Sequence, residues 1–144
     1  MHFHYAGFAL PILTGLAGRA LPGLLARSAA ALVITGVPLV ALGFAFWPLL
    51  EWLAAWLLTV GCILAGVNQF HVAVRSTVWP RQALLAVSAV SLMAGMALAA
   101  VYALGEYRGT AWLDIPAMLP FHGVANALGF ALLGLCAWAL LPQR

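Results

Sequence analysis

Charged residues are scarce in this chain of 144 residues. They make up 6% of the sequence, whereas hydrophobic residues make up 66%, and the mean hydropathy is +1.09. A soluble domain of ordinary composition has far more polar side chains with which to cover its surface. The composition therefore excludes an ordinary soluble domain and indicates an integral membrane protein that has the lipid bilayer as its solvent.

Other features that define familiar protein classes are absent from the sequence. The excess of basic over acidic residues is small and dispersed, which excludes the clustered basic surface of a nucleic-acid-binding protein. Cys62 and Cys136 lie in apolar runs without CxxC spacing, so they indicate small hydrophobic residues and no disulfide. There is no nucleotide-binding motif and no GxSxG nucleophile elbow. The first positive charge is Arg19, which is untypical of a cleavable signal peptide.

Long apolar runs make up most of the chain. A helix that crosses the hydrocarbon core needs about 20 mostly apolar residues, and turn residues separate five segments of this kind. The predicted spans are His4–Gly18, Ser28–Phe46, Trp52–Val74, Ala83–Leu104 and Pro116–Leu141. We therefore expect one all-α domain over residues 1–144, a compact bundle of five transmembrane helices.

The arginines predict the orientation of this bundle. Loops rich in arginine and lysine stay in the cytoplasm. Five arginines fall on one side of the predicted topology: Arg19, Arg27, Arg75, Arg81 and Arg144. The sequence thus predicts an N-terminus outside the cell and a C-terminus in the cytoplasm.

Polar side chains inside the spans are the candidates for function, because an unpaired polar group in hydrocarbon is costly. His122 and Asn126 are four residues apart and share one face of the fifth span. Asn68 lies deep in the third span, on a stripe that continues to His71 and Arg75. Two uses are open for such groups: hydrogen bonds between helices, or the lining of a functional pocket.

More polar groups lie at the predicted outer ends of the spans. Glu51 lies just before the third predicted span and Asp114 just before the fifth. A carboxylate at the start of a helix can cap the helix, and it can also act as a general acid. The HFHY segment at residues 2–5 is predicted to lie on the same outer side as His122. We expect these groups to line one outward-opening pocket.

Four histidines raise the question of a metal site. Zinc needs three or four nitrogen, sulfur or oxygen ligands in a tight arrangement, and neither HxxxH nor ExxH spacing occurs. We predict no metal and no cofactor, with ligands gathered from different helices as the open alternative.

Two segments resemble the signatures of the YndJ-like family of bacterial membrane proteins. HFHYAGFALPILTG at the start and MLPFHGVANALGF near the end have the order and separation found in that family, in the C-terminal part of its longer members. The resemblance implies a multi-pass protein of the bacterial cytoplasmic membrane and names no reaction. Its motif positions in this sequence are His2, His4, Tyr5, His122, Gly123, Asn126 and Gly129.

The polar residues favour a membrane-embedded enzyme that performs acid/base chemistry on a lipophilic small molecule. Cyclisation, isomerisation and epoxide opening are the favoured reactions, because none of them needs an external cofactor. The predicted catalytic residues are Glu51, His4, His122 and Asp114. The predicted substrate-binding residues are His2, Tyr5, Asn68 and Asn126.

Two other classes of function are open. The chain fits a non-catalytic accessory or assembly subunit, whose polar side chains bind another membrane protein or a second copy of the chain. A transporter is the least favoured, because no repeated halves are found. The expected partners are the lipid bilayer, a hydrophobic small-molecule substrate, and a homo-oligomer or membrane partner subunit, but not nucleic acid.

Overall fold

The computed structural model describes residues 5–110, 116 and 119–140, with the backbone alone at positions 5, 6, 106, 107 and 119. This described part is helical apart from short turns and contains no strand. The helices, in chain order, are π1 (Tyr5–Ala9), α1 (Leu10–Ala20), α2 (Leu24–Phe46), α3 (Pro48–Val74), α4 (Trp79–Arg108), π2 (Leu119–Gly123), π3 (Ala125–Leu132) and α5 (Leu133–Ala139). The last three form one continuous run, residues 119–139, which we name the C-terminal helix.

Four helices are long and apolar enough to cross a membrane. They are Leu24–Phe46, Pro48–Val74, Trp79–Gly105 and Pro120–Ala139. This confirms an all-helical membrane protein. The five residues of π1 and the eleven of α1 extend for about 24 Å at 1.5 Å per residue, less than the roughly 30 Å of a hydrocarbon core. The fifth crossing therefore stays a prediction.

The helices α2, α3 and α4 begin earlier than the corresponding predicted spans. α2 starts at Leu24 instead of Ser28, and α3 starts at Pro48 instead of Trp52. The predicted spans begin just after the charged residues Arg27 and Glu51, but a helix continues past a charged residue near its end as long as backbone hydrogen bonds can form. Proline is accepted in a first turn, where its missing N–H has no partner within the helix.

The helices pack in chain order and close into a bundle. α2 packs on α3, α3 on α4, and α4 on the C-terminal helix, while α1 contacts α2, α3 and α5. Leu13, Val33, Cys62 and Leu85 are fully buried between them. π1 also contacts π3, so the two ends of the described chain meet.

The outer surface of the bundle is apolar, as a bilayer requires. Ile34, Phe44 and Phe46 of α2 are 63%, 74% and 81% exposed. Large apolar side chains spread over a whole helix face would be unfavourable in water. Acyl chains are the natural neighbours of this surface.

Glycines set the distance between α2 and α3. A Cβ atom on Gly61 would lie 2.8 Å from the Cβ of Leu32, and one on Gly36 would lie 3.0 Å from the Cβ of Leu58. A Cβ atom on Gly43 would overlap the backbone of Glu51. Without these glycines the two backbones could not approach so closely, which is how small residues promote helix packing in lipid.

We predict that Gly61→Ala destabilises the bundle by about 1–3 kcal/mol, because the added methyl group overpacks the contact with Leu32. Gly15 is the matched control, since a Cβ atom there meets nothing within 4 Å. Gly15→Ala should be neutral or slightly stabilising, because alanine favours the helix. The free energies of unfolding of both variants are measured with the purified proteins in mixed detergent. Equal stability of the two variants would contradict the close approach.

Candidate functional site

Polar and small residues line the interface between α4 and the C-terminal helix. Three positions of α4, spaced by three and four residues, each face a residue of the opposite helix. The facing pairs are Ser88 with Gly134, Ser91 with Gly129, and Gly95 with Asn126. In each pair a glycine makes room for a polar side chain, so polar groups fit between two closely packed helices.

His122 is held in this interface by the backbone of α4. The side chain is 6% exposed, and its Nδ1 lies 2.8 Å from the carbonyl oxygen of Gly95. A carbonyl oxygen can only accept a hydrogen bond, so the proton of the ring must be on Nδ1. In the neutral imidazole the basic lone pair is then on Nε2. The interface therefore fixes the orientation of the ring and places a proton on Nδ1.

Asn126 lies one turn after His122 and contacts it closely. Its amide Nδ2 donates a hydrogen bond to the backbone carbonyl of His122 at 2.9 Å. The same nitrogen is 3.4 Å from Nδ1 and 3.3 Å from Nε2 of the ring, so it does not single out either as a partner. The structure thus brings these two predicted site residues together on one face, as their spacing indicated.

A second set of buried polar groups joins three helices. Nε2 of Gln69 in α3 donates to Oγ of Ser88 in α4 at 2.7 Å, and this hydroxyl donates to the carbonyl oxygen of Phe130 in π3 at 2.7 Å. Gln69 is 2% exposed and Ser88 is fully buried. Neither residue is among the site residues predicted from the sequence. The spacing of Ser88, Ser91 and Gly95 on one face of α4 was the available signal.

The two segments that resemble the YndJ-like signatures contain π-helices in their described parts. π1 includes Tyr5, π2 includes His122, and π3 includes Asn126 and Gly129. A π-helix is wider than an α-helix, is rare, and is found often at functional sites. Because π1 contacts π3, the two motif segments are adjacent in the fold although more than a hundred residues separate them in sequence.

Several predicted site residues lie outside the described part of the chain. These are His2, His4 and Asp114, together with the side chain of Tyr5. The backbone of Tyr5 begins π1. Their roles stay predictions.

The two remaining predicted site residues, Asn68 and Glu51, lie on α3. Asn68 is 2% exposed and faces the interior of the bundle. Glu51 is half-buried in the first turn of α3, beside Gly43 of α2. His122 lies instead against Gly95 of α4. The described contacts therefore place Glu51 and His122 on different helix pairs.

Within residues 5–110, 116 and 119–140, no three side chains of His, Cys, Asp or Glu are grouped so that they could hold a metal ion. Two of the four histidines lie outside these ranges. The predicted absence of a metal therefore stays a prediction.

Comparison with known proteins identifies the family. The sequence model of the family described as YndJ-like protein matches residues 1–130, which include both of the segments that resemble its signatures. This chain belongs to the YndJ-like family. The predicted resemblance is therefore confirmed.

A YndJ-like relative in Bacillus subtilis (strain 168) carries the name "Uncharacterized membrane protein YndJ". It is 29% identical over 142 residues, which is 97% of this chain and 26% of the relative. The chain thus spans about a quarter of the length of that relative. No solved structure matches. The relative and the four apolar spans confirm the predicted location, a multi-pass protein of a bacterial membrane.

We predict that Gln69 and Ser88 are energetically coupled. Ser88→Ala removes the hydroxyl that joins Gln69 to Phe130, and the expected cost is about 0.6 kcal/mol and at most roughly 1.7 kcal/mol, the range for such bonds between membrane helices. In a double-mutant cycle, Gln69→Leu should cost less when Ser88 is already alanine.

Thr35→Ala is the control for this cycle. Thr35 donates its hydroxyl to the carbonyl of Ala31 in its own helix, at 2.7 Å. We expect no coupling between Thr35 and Gln69 when unfolding is measured in detergent. Strictly additive effects of the Gln69 and Ser88 substitutions on the free energy of unfolding would contradict the network.

Proposed function

We propose that the YndJ-like segment holds an acid/base site for a lipophilic molecule, with Nε2 of His122 as the proton acceptor. The observation that carries the proposal is the hydrogen bond from Nδ1–H of His122 to the Gly95 carbonyl. A histidine fixed in this way presents its basic nitrogen in a constant direction, which general-base catalysis needs. The surrounding bundle is apolar, so it suits the hydrocarbon part of a substrate.

The location of His122 in the family motif supports this proposal. It lies in π2, and the neighbouring π3 contacts π1, the helix at the other motif. Wide helical turns at two facing motif segments favour a functional site over simple packing. Asn126, half-buried beside the ring, would bind an oxygen atom of the substrate.

The reaction class follows from the groups available. A base that removes one proton and an acid that delivers one leave no net change in redox state, so cyclisation, isomerisation and epoxide opening are the proposed reactions. Asp114 precedes the helix that carries His122, and His4 precedes π1. These two are better candidates for the acid than Glu51, which lies beside Gly43 on another helix pair.

A second candidate function is that of a non-catalytic assembly unit. The Gln69–Ser88–Phe130 network favours it, because these polar groups bond with one another across helices, as packing residues do. The YndJ relative from Bacillus subtilis is about four times as long as the matched segment, so a packing role against other helices is also reasonable. Variants of His122 distinguish the two functions.

We further propose that the chain crosses the membrane five times, with its N-terminus outside. Arg75 and Arg81 flank the α3–α4 turn and favour a cytoplasmic location for it. Reporter fusions should then place residue 78 in the cytoplasm and residue 110 outside, and an N-terminal tag should be outside as well. An N-terminal tag in the cytoplasm would mean that π1 and α1 do not cross.

We predict that His122→Asn abolishes function while the protein stays folded. The asparagine amide can still donate to the Gly95 carbonyl from the position of Nδ1, but it has no basic nitrogen where Nε2 was. Lipophilic extracts of cells that express the wild type or the variant, compared by mass spectrometry, should differ in at least one compound.

His122→Gln and Asn126→Ala are the companion variants. Glutamine lacks a donor at the Nδ1 position, so it should lower stability more than asparagine does. Asn126→Ala tests substrate positioning and should reduce turnover less than His122→Asn. Identical extracts from the wild type and His122→Asn, with loss of stability as the only effect of all three changes, would support the assembly function instead.

A further inference from the structure

An arginine and a tryptophan form a pair at the opposite end of α4 from Arg108. Arg81 is in the first turn of α4, and its guanidinium carbon lies 5.0 Å from the centre of the Trp138 ring in α5. This distance is within the range of a cation–π interaction. Trp138 is 8% exposed, so the ring provides a rigid, packed support for the cation.

Within the described part of the chain, this end of the bundle has positive charge without nearby carboxylates. The chain contains three acidic residues: Glu51, Glu106 and Asp114. Along α3, Glu51 is 24 residues before Arg75, or about 36 Å at 1.5 Å per residue. Along α4, Glu106 is 25 residues after Arg81, or about 37 Å. Neither of these acids can neutralise the arginines.

The guanidinium of Arg81 is not fully paired within the described part of the chain. Its Nε is buried and has no hydrogen-bond partner among the described residues, whereas the side chain as a whole is only half-buried. Arg75 is exposed on the other side of the short α3–α4 turn. Trp79, the first residue of α4, is 75% exposed, which suits an aromatic residue at the headgroup level of a membrane.

We propose that Arg81, supported by Trp138 and assisted by Arg75, binds the phosphate of an anionic phospholipid. A guanidinium pairs with phosphate through two parallel hydrogen bonds, which a fixed orientation favours. Basic sites between transmembrane helices are suited to lipid headgroups. A lipid is the occupant that the position requires, because the site lies where spanning helices leave the hydrocarbon.

This site is separate from the proposed acid/base site. Gly95, which holds His122, is 14 residues after Arg81 along α4, or about 21 Å. Loss of lipid binding therefore tests this inference alone, and loss of chemistry at His122 tests the proposed function alone.

The test measures lipid binding to the purified full chain by native mass spectrometry and by thermal unfolding in detergent. The probes are phosphatidylglycerol, phosphatidylcholine and inorganic phosphate. We expect phosphatidylglycerol to bind and to raise the unfolding temperature, and the other two to have little effect. Arg81→Gln should weaken phosphatidylglycerol binding roughly tenfold, the loss expected for a charge-assisted hydrogen bond.

Arg108→Gln is the matched control, because it makes the same change of charge on the same helix, 27 residues away. It should keep the binding of phosphatidylglycerol. Arg81→Lys keeps the charge but loses the paired hydrogen bonds, so it should bind with intermediate affinity, and it serves if Arg81→Gln does not fold. Equal binding of the two lipids, an equal effect of inorganic phosphate, or unchanged binding in both Arg81 variants would overturn the proposal.

Discussion

Hydrocarbon supplies no water to a polar group, so every polar side chain in this bundle must find its partner within the protein or in a bound molecule. Three polar side chains at the interface between α4 and the C-terminal helix meet this constraint. Glycines bring the two helices close together, and His122, Asn126 and Ser88 bond to carbonyl oxygens across or along it. The packing of the bundle and the placement of its candidate site therefore have the same physical cause.

The same constraint explains how one interface can stabilise the fold and also prepare a site. A hydrogen bond from His122 to the backbone of α4 stabilises the helix pair. It also determines which ring nitrogen keeps the proton, and thus which nitrogen can act as a base. The π-helical turns around His122 and Asn126 change the direction of side chains relative to an α-helix. Their coincidence with the segments that resemble the YndJ-like signatures is the main reason to propose a function for this region.

The sequence predicted the helices and the closeness of His122 and Asn126 well. Apolar runs determine where a chain can cross a membrane, and residues four apart share a helix face whatever the rest of the fold is. The Gln69–Ser88–Phe130 network could not be predicted, because it depends on how three helices are rotated against one another. Serine in a membrane helix also bonds to its own backbone, so its presence alone indicates little.

The π-helices and the location of Glu51 were also beyond the reach of the sequence. A change from α- to π-helical turns depends on packing and is not encoded in the hydrophobic pattern. Glu51 and His122 are both near predicted outer ends, and only the packing order of the helices separates them. Depth in the membrane is readable from a sequence, whereas the neighbours at that depth are not.

The most direct test of this account is the protonation of the His122 ring in lipid, measured by ¹⁵N NMR of the imidazole nitrogens in nanodiscs, with His122→Asn to assign the signal. The account predicts a proton on Nδ1 that exchanges slowly with water, in contrast to the ring protons of the exposed His71. A proton on Nε2 alone, or fast exchange like that of His71, would contradict it.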